Sequence, residues 1–140
     1  MLFRSDHRDL RKLQGCGTAL VTPFLAGGGV DEAALRRLLK TQLAAGIDFL
    51  LPCGTTGESP TLSAREQLRV VEIVVEEAGE RVPILAGAGG NNTAHVREQI
   101  ESLERLGVSG ILSVSPYYNK PTQEGIYQHY RSLEIGRAHV

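Results

Sequence analysis

Apolar residues along the chain fall into short continuous runs separated by longer stretches with helical spacing. Runs at 17–24, 47–53, 82–88 and 110–115 are each followed by a stretch in which apolar residues recur every three or four positions. The runs lack the strict alternation of a strand with one solvated face, which predicts strands buried on both faces. Strand and helix, repeated four times, predict an α/β fold with a parallel sheet.

Polar residues mark where the predicted helices begin. Asp31 and Ser63 stand before the first two amphipathic stretches as caps, and the next two helices are predicted from about Thr93 and from Gln123. The apolar positions expected to face the core are Leu35, Leu38, Leu39 and Leu43 in the first helix, Leu68, Val71, Val74 and Val75 in the second, and Val96, Ile100 and Leu103 in the third.

Loops that follow the strands are richer in Gly, Thr, Asn and Tyr than loops that follow the helices. In a parallel α/β fold the strand exits gather at one end, where ligands bind. An open doubly wound sheet and a closed (β/α)₈ barrel both fit this pattern. Since a barrel needs about 250 residues and eight strands, four strand–helix units would make half of one.

The loop CGTTGESP, 53–60, places Thr55 and Thr56 between two glycines. It lacks the Lys-Ser/Thr ending of a phosphate loop and the G-x-G-x-x-G spacing, so nucleotide binding is not indicated. Its glycines let backbone N–H groups approach a small anion, and its hydroxyls can donate to one, which suits a carboxylate. The alternative is that the hydroxyls only satisfy the turn's own backbone.

The loop PYYN, 116–119, presents Tyr117 and Tyr118 side by side at another strand exit. Tyrosine hydroxyls both donate and accept, so a Thr–Tyr chain can pass protons without a charged base. The alternative is two amphipathic rings that seal a surface or a subunit contact.

Composition excludes several partners. A formal net charge of -1 over 140 residues gives no electrostatic reason to expect nucleic acid, and no apolar run approaches the roughly 20 residues that span a bilayer. Residues 1–14 lack the features of a secretory signal and predict a charged extension, so a cytoplasmic location is expected. The spacing of the cysteines and histidines predicts neither a metal site nor a disulfide, and Cys53 is expected to be a small buried hydrophobe.

Several motifs, in this order and spacing, resemble the amino-terminal half of the 4-hydroxy-tetrahydrodipicolinate (dihydrodipicolinate) synthase family. The motifs are GTALVTPF, CGTTGESPTLS, ILAGAGGNNT and SVSPYYNKPTQEGIYQHY, and the resemblance runs from about Gly15 to Leu133. It implies an incomplete (β/α)₈ TIM barrel comprising about the first four βα units. The family implies a class I aldolase, usually a homotetramer, that condenses pyruvate with aspartate semialdehyde in lysine and diaminopimelate biosynthesis, without a metal or other cofactor.

The resemblance also implies roles for individual residues. Thr55 would belong to a proton relay, and Thr56 would hold the pyruvate carboxylate. Tyr118 would complete the relay in the site of a neighbouring subunit, while Tyr117 would pack at that interface. In this chemistry pyruvate forms a Schiff base with a lysine, and the iminium acidifies the pyruvate methyl so that an enamine can attack an aldehyde.

Many bacterial members bind lysine as a feedback inhibitor at the tetramer interface. The residues that match the pattern of that site are Ser59, Asn91 and Tyr117. Ala64, Gln67 and His95 stand where lysine-sensitive members carry two histidines and a glutamate. We therefore expect no feedback inhibition by lysine.

The family's Schiff-base lysine lies on a later strand than the four predicted here. Lys12, Lys40 and Lys120 do not occupy its position, so we expect the 140-residue chain to be inactive by itself. The family-like pattern runs to Glu134, and the heptapeptide EIGRAHV that follows from this residue resembles an in-frame translation of a short-read sequencing adapter. We expect a charged extension at 1–14, a half-barrel at 15–134 and a non-native tail at 135–140.

Two other readings of function stay open on the sequence. N-acetylneuraminate lyase and keto-deoxy sugar acid aldolases share the threonine loop and the lysine chemistry, although the lyases tend to carry Ser for the first Thr. The second reading is a non-catalytic half-barrel that binds or assembles with a partner. Its open strand edges and apolar faces would favour aggregation unless halves pair.

Overall fold

The computed structural model describes residues 2–3 and 13–134. Within these ranges lie five strands and four α-helices. The strands are β1 (Leu2–Phe3), β2 (Gly17–Ala19), β3 (Phe49–Leu51), β4 (Leu85–Gly87) and β5 (Gly110–Leu112), and the helices are α1 (Glu32–Ala44), α2 (Ala64–Ala78), α3 (Thr93–Arg105) and α4 (Gln123–Leu133). From β2 onward strand and helix alternate, which confirms the predicted α/β class. The predicted tail at 135–140, and Lys12 with most of the predicted extension, lie outside the described residues.

The strands from β2 to β5 are parallel neighbours in chain order. β2 pairs with β3, and β4 pairs with β5. A single parallel bridge between Leu50 and Ile84 joins the two pairs, and Gly87 N–H donates to the Pro52 carbonyl at 2.9 Å. The loops that leave β3, β4 and β5 therefore emerge along one edge of the sheet.

The strands are shorter than predicted, and one strand was not predicted. Each of the four apolar runs keeps only three residues as strand. Pro52 directly after β3 and Pro83 shortly before β4 lack the N–H that a ladder needs. β1 falls in the predicted charged extension and pairs antiparallel with β5. A two-residue strand carries no periodicity that a sequence pattern could reveal.

Side-chain caps set the helix starts. The Ala34 N–H donates to Asp31 at 2.8 Å, and Ser63 forms a capping box with Glu66, which confirms both predicted caps. Asn92 and Thr122 cap α3 and α4, one residue before their predicted starts. Each cap satisfies N–H groups that have no partner inside the helix.

The core lies between the helices and one face of the sheet. Of the predicted inward positions, Leu35, Leu39, Val71, Val74, Val96, Ile100 and Leu103 are buried, and Leu38, Leu43, Leu68 and Val75 pack partly buried against them. α2 also buries Val70, Ile73 and Ala78, so its apolar face is wider than predicted.

The prediction that all of the strands are buried on both faces is correct for β4 and wrong near β5. β4 is buried on both faces as expected. Leu112 and Val114, in the run that contains β5, are 41% and 53% exposed, and Val21 is 51% exposed. The helices bury the alternate positions Leu50 and Ile111, and nothing in 13–134 covers the opposite face near β5.

Among the described residues, none of the helices combines the length and apolar character needed to cross a membrane.

Candidate active site

The loop that leaves β3 consists of two consecutive tight turns. Thr55–Gly57 and Ser59–Thr61 form short 3₁₀ helices, separated by Glu58 in the left-handed region at φ 53°. Cys53, just before them, is also left-handed at φ 56°. This conformation is uncommon for a residue with a Cβ, so packing around the loop must hold it.

Gly87 of β4 supplies that packing from the neighbouring strand. A Cβ at Gly87 would lie 2.0 Å from the Cys53 carbonyl oxygen and 2.9 Å from the Gly54 nitrogen. Only glycine lets the two backbones approach this closely. The side chain of Cys53 is buried as predicted, and burial raises the pKa of its thiol to about 12. It therefore stays neutral at ordinary pH.

The hydroxyls of Thr55 and Thr56 are not used to build the turn. Both residues are exposed, and within 13–134 neither hydroxyl makes a hydrogen bond, whereas the Thr61 hydroxyl donates to the Glu58 carbonyl at 2.9 Å. The alternative that the pair only satisfies the turn's backbone is therefore wrong. Both hydroxyls are available to a ligand.

A cavity of about 520 Å³ opens beside this loop where β3, β4 and β5 end. Its lining comprises Cys53, Gly54, Thr55, Ser59, Pro60, Gln67, Gly87, Ala88, Gly89, Leu112, Ser113, Val114 and Tyr117. These described residues bring together the predicted site residues Thr55, Ser59 and Tyr117 and contribute no charged side chain. A pocket of this size suits a small molecule, with hydroxyls as its polar groups.

Tyr118 lies outside the group of residues that lines the cavity. It is 92% exposed, its φ is 71°, and it is not among the lining residues. The tight turn is closed by Asn119, whose N–H donates to the Tyr117 carbonyl at 2.9 Å and whose side chain donates to the Asn91 carbonyl at 3.1 Å. Within the described chain, the predicted relay partners Thr55 and Tyr118 are not brought together.

A second cavity, of about 430 Å³, lies between α2 and the start of α3. Asn91, predicted as an effector residue, lines it together with His95 and Gln99, while Ser59 and Tyr117 line the first cavity. The three predicted effector residues are therefore divided between two adjoining cavities.

Gln67 stands in the wall that the two cavities share. Its side-chain amide donates to the Ser59 carbonyl at 2.7 Å and to the Leu62 carbonyl at 3.3 Å, and its oxygen accepts from Gln99. Gln67 thus ties the second 3₁₀ turn to α2. From the sequence, Gln67 was noted only as a departure from a family pattern. No local sequence signal predicted this contact.

Two buried polar side chains in the described ranges, Thr22 and His129, were missed from the sequence. The Thr22 hydroxyl donates to the Gly57 carbonyl at 2.7 Å, and His129 Nδ1 bonds the Thr93 hydroxyl at 2.8 Å. Burial lowers the pKa of His129. A hydroxyl between apolar residues in the run GTALVTPF was a signal for Thr22, although Thr18 in the same run shares it.

The described lysines lie apart from the first cavity. Lys40 is exposed on α1, and Lys120 is exposed in the loop after Tyr118; neither lines the cavity. Across 13–134, no group of three or more His, Cys, Asp or Glu side chains is placed to hold a metal ion.

Comparison with known proteins places this arrangement in a family. The model of the dihydrodipicolinate synthetase family matches residues 12–135. The chain is 57% identical over 123 residues to the 4-hydroxy-tetrahydrodipicolinate synthase of Chlorobium limicola, covering 88% of this chain and 42% of that protein. The synthase of Koribacter versatilis is also 57% identical, with 87% and 41% covered.

Solved structures give the same result. The dihydrodipicolinate synthase of Aquifex aeolicus superposes with a TM-score of 0.82 at 44% identity, covering 86% of this chain and 41% of that one. The chloride-inhibited synthase of Acinetobacter baumannii, complexed with pyruvate, superposes with a TM-score of 0.84 at 43% identity and the same coverage. The chain spans about two fifths of the length of these relatives, and it belongs to the dihydrodipicolinate synthetase family.

Proposed function

We propose that the full-length protein condenses pyruvate with aspartate semialdehyde through a Schiff base, in lysine and diaminopimelate biosynthesis. The observation that carries this proposal is the pair of unengaged hydroxyls of Thr55 and Thr56 in one turn at a strand exit, where Thr55 lines an uncharged cavity and Thr56 does not. They stand in a chain of the synthetase family, whose pyruvate-bound structure from Acinetobacter baumannii is similar over 86% of this chain.

In this proposal, residues 15–134 form the first four βα units of a (β/α)₈ barrel. Parallel neighbours in chain order support it, because a barrel has no reversal of strand order. The exposed sheet face at Leu112, Val114 and Val21 supports it as well, since in a closed barrel such side chains fill the interior. Four units out of eight also agree with the share of the relatives' length that the chain covers.

The roles of the two threonines follow from the chemistry of the loop. Thr56 and the backbone N–H groups of the 3₁₀ turn bind the pyruvate carboxylate, since hydroxyls and N–H groups donate to an anion without adding charge. Thr55 lines the cavity and relays protons during imine formation, when a lysine amine adds to the pyruvate C2 carbonyl and water leaves. That lysine is supplied by residues outside these 140, so the chain by itself is inactive.

The two tyrosines act between subunits in this proposal. Tyr118 completes the relay in the site of a neighbouring subunit of a homotetramer, and Tyr117 packs at that interface. The exposure of Tyr118 supports this role, because a ring that is 92% exposed and held in a left-handed turn is available to reach another chain. The cores of protein interfaces are also enriched in tyrosine.

Lysine does not inhibit the enzyme in this proposal. Ser59, Asn91 and Tyr117 fit an effector site, but the amide of Gln67 is already bonded to the Ser59 and Leu62 carbonyls. The cavity beside it offers a single described carboxylate, Glu98. Inhibition of the full-length enzyme by lysine at concentrations that stop sensitive relatives would contradict this.

A chimera tests the proposal directly. Residues 15–133 replace the matching segment of the Chlorobium limicola relative, and turnover is measured with pyruvate and aspartate semialdehyde. We expect turnover within about tenfold of the relative, and loss of about 100-fold or more in Thr55→Val. Borohydride with pyruvate should trap an adduct on the chimera and none on the 140-residue chain. A folded chimera without turnover or adduct would favour the non-catalytic module.

The second substrate needs a separate experiment, because the remainder of a barrel also lines its site. Recovery of the native downstream sequence supplies the full-length protein. We expect its kcat/KM to be highest with aspartate semialdehyde. Higher kcat/KM for cleavage of N-acetylneuraminate or a keto-deoxy sugar acid would identify one of those aldolases instead.

A further inference from the structure

A buried hydrogen bond ties the Thr55–Gly57 turn to the sheet from outside the loop. Thr22 follows β2, is 6% exposed, and donates its hydroxyl to the Gly57 carbonyl at 2.7 Å. The N–H of Gly57 donates to the Gly54 carbonyl at 3.1 Å inside the turn. The last carbonyls of a helical turn have no partner within it, so Thr22 supplies the partner that the turn lacks.

The turn also rests closely against the exit of β2. A Cβ added at Gly57 would lie 3.0 Å from the Leu20 carbonyl oxygen and 3.3 Å from the Thr22 hydroxyl. Gly57, the last residue of the turn, therefore both accepts the Thr22 hydrogen bond and packs against the backbone at the exit of β2. Because Thr55 and Thr56 precede Gly57 in the same turn, a displacement of Gly57 moves both of their hydroxyls together.

We infer that Thr22 is a positioning residue for the reaction, holding the Thr55 and Thr56 hydroxyls in their working geometry. Thr22 does not line the cavity, so it acts through the turn and not on substrate. This inference rests on the proposed function of the two threonines. It adds a residue on the first strand exit to a site whose other described groups come from the exits of β3, β4 and β5.

A control lies in β2 itself, four residues before Thr22. Thr18 of β2 also donates a hydrogen bond of 2.7 Å, but to the Gln42 side chain of α1. Thr22→Val and Thr18→Val therefore each remove one hydroxyl and one hydrogen bond of 2.7 Å. The first bond goes to a backbone carbonyl of the turn and the second to a side chain of a helix. Thr22→Ser keeps the hydroxyl and removes only a methyl group.

The variants are made in the chimera. Each rate is divided by the concentration of active sites, which is determined from the amount of pyruvate trapped with borohydride. We expect Thr22→Val to lower kcat/KM for pyruvate about 100-fold, with a lower kcat and a higher KM, since displacement by about 1 Å has effects of this size. Thr22→Ser and Thr18→Val should stay within about threefold of the parent. A purely structural role would reduce the melting temperature and leave both constants per site unchanged.

Folded Thr22→Val with parental kcat and KM would overturn the inference, as would equal losses in Thr22→Val and Thr18→Val. If Thr22→Val does not fold, Thr22→Cys carries the test, because a thiol of similar size is a weaker donor. The kcat/KM of Thr22→Cys should be lower than that of Thr22→Ser, and unchanged constants would again overturn the inference. An inactive parent chimera would refute the proposed function instead, which keeps the two failures distinct.

Discussion

Gly87→Ala should displace the loop that carries Thr55 and Thr56. The new Cβ would lie 2.0 Å from the Cys53 carbonyl oxygen and 2.5 Å from the carbonyl carbon, whereas ordinary contact begins at 3.4 Å. Backbone atoms must therefore separate by about 1.4 Å. Neither partner is the end of a flexible side chain, so the movement passes into the left-handed Cys53 and the turn that follows it.

The expected magnitude follows from that displacement. Overpacking a close-packed site costs about 1–3 kcal/mol of unfolding free energy, and a backbone partner places Gly87→Ala at the upper end, about 3 kcal/mol. A shift of about 1 Å in the hydroxyls lowers the catalytic rate about 100-fold. Urea denaturation and pyruvate kinetics of the chimera measure the two effects.

Gly27→Ala is the control, because a Cβ at Gly27 meets no atom within 4 Å. It should change the free energy of unfolding by less than about 0.5 kcal/mol and leave kcat/KM intact. If Gly87→Ala retained both the urea midpoint and the kcat/KM of Gly27→Ala, the close approach of β4 to the loop would not be what holds the site.

Further outcomes follow from other contacts. Ser63→Ala removes the hydroxyl that caps α2 and should lower the free energy of unfolding of the chimera by about 1 kcal/mol, measured by urea denaturation, whereas an unchanged midpoint would show that the cap contributes nothing. Iodoacetamide at pH 8 should label the exposed Cys16 and leave the Cys53 thiol, whose pKa is raised to about 12, unmodified until the protein unfolds; rapid native labelling of Cys53, seen by peptide mass spectrometry, would contradict its burial. The lowered pKa of buried His129 means that the unfolded chain binds the proton more tightly, so its contribution to stability is complete above about pH 6.5 and declines as pH falls towards the folded pKa. Melting temperatures from pH 5 to 8 should show a smaller decline in His129→Gln than in the parent, and equal declines would refute this. The 140-residue chain alone should self-associate through its exposed sheet face, and a monodisperse monomer with a cooperative melt would refute that.

The local sequence pattern was sufficient to predict strands β2 to β5 and the helices, but it was not sufficient to predict the contacts that build the candidate site. Periodicity and caps placed the helices and most of their buried faces, because spacing of three or four residues and a cap three positions away are local properties. The contacts of Thr22 with Gly57, and of Gly87 with Cys53, join residues more than thirty positions apart. The sequence around either residue of such a pair carries no information about its contact with the other.

The resemblance identified Thr55 and Thr56, but it did not explain why the chain places them where it does. Two strands and one helix act on one short loop. Thr22 after β2 bonds its end, Gly87 of β4 supports its start, and Gln67 of α2 holds the turn beyond it. None of these contacts uses the hydroxyl of Thr55 or Thr56, so the loop keeps its shape while these two hydroxyls stay available. Preorganisation of this kind lets neutral donors bind an anion without rearrangement, which is what the proposed chemistry requires of this half of a site.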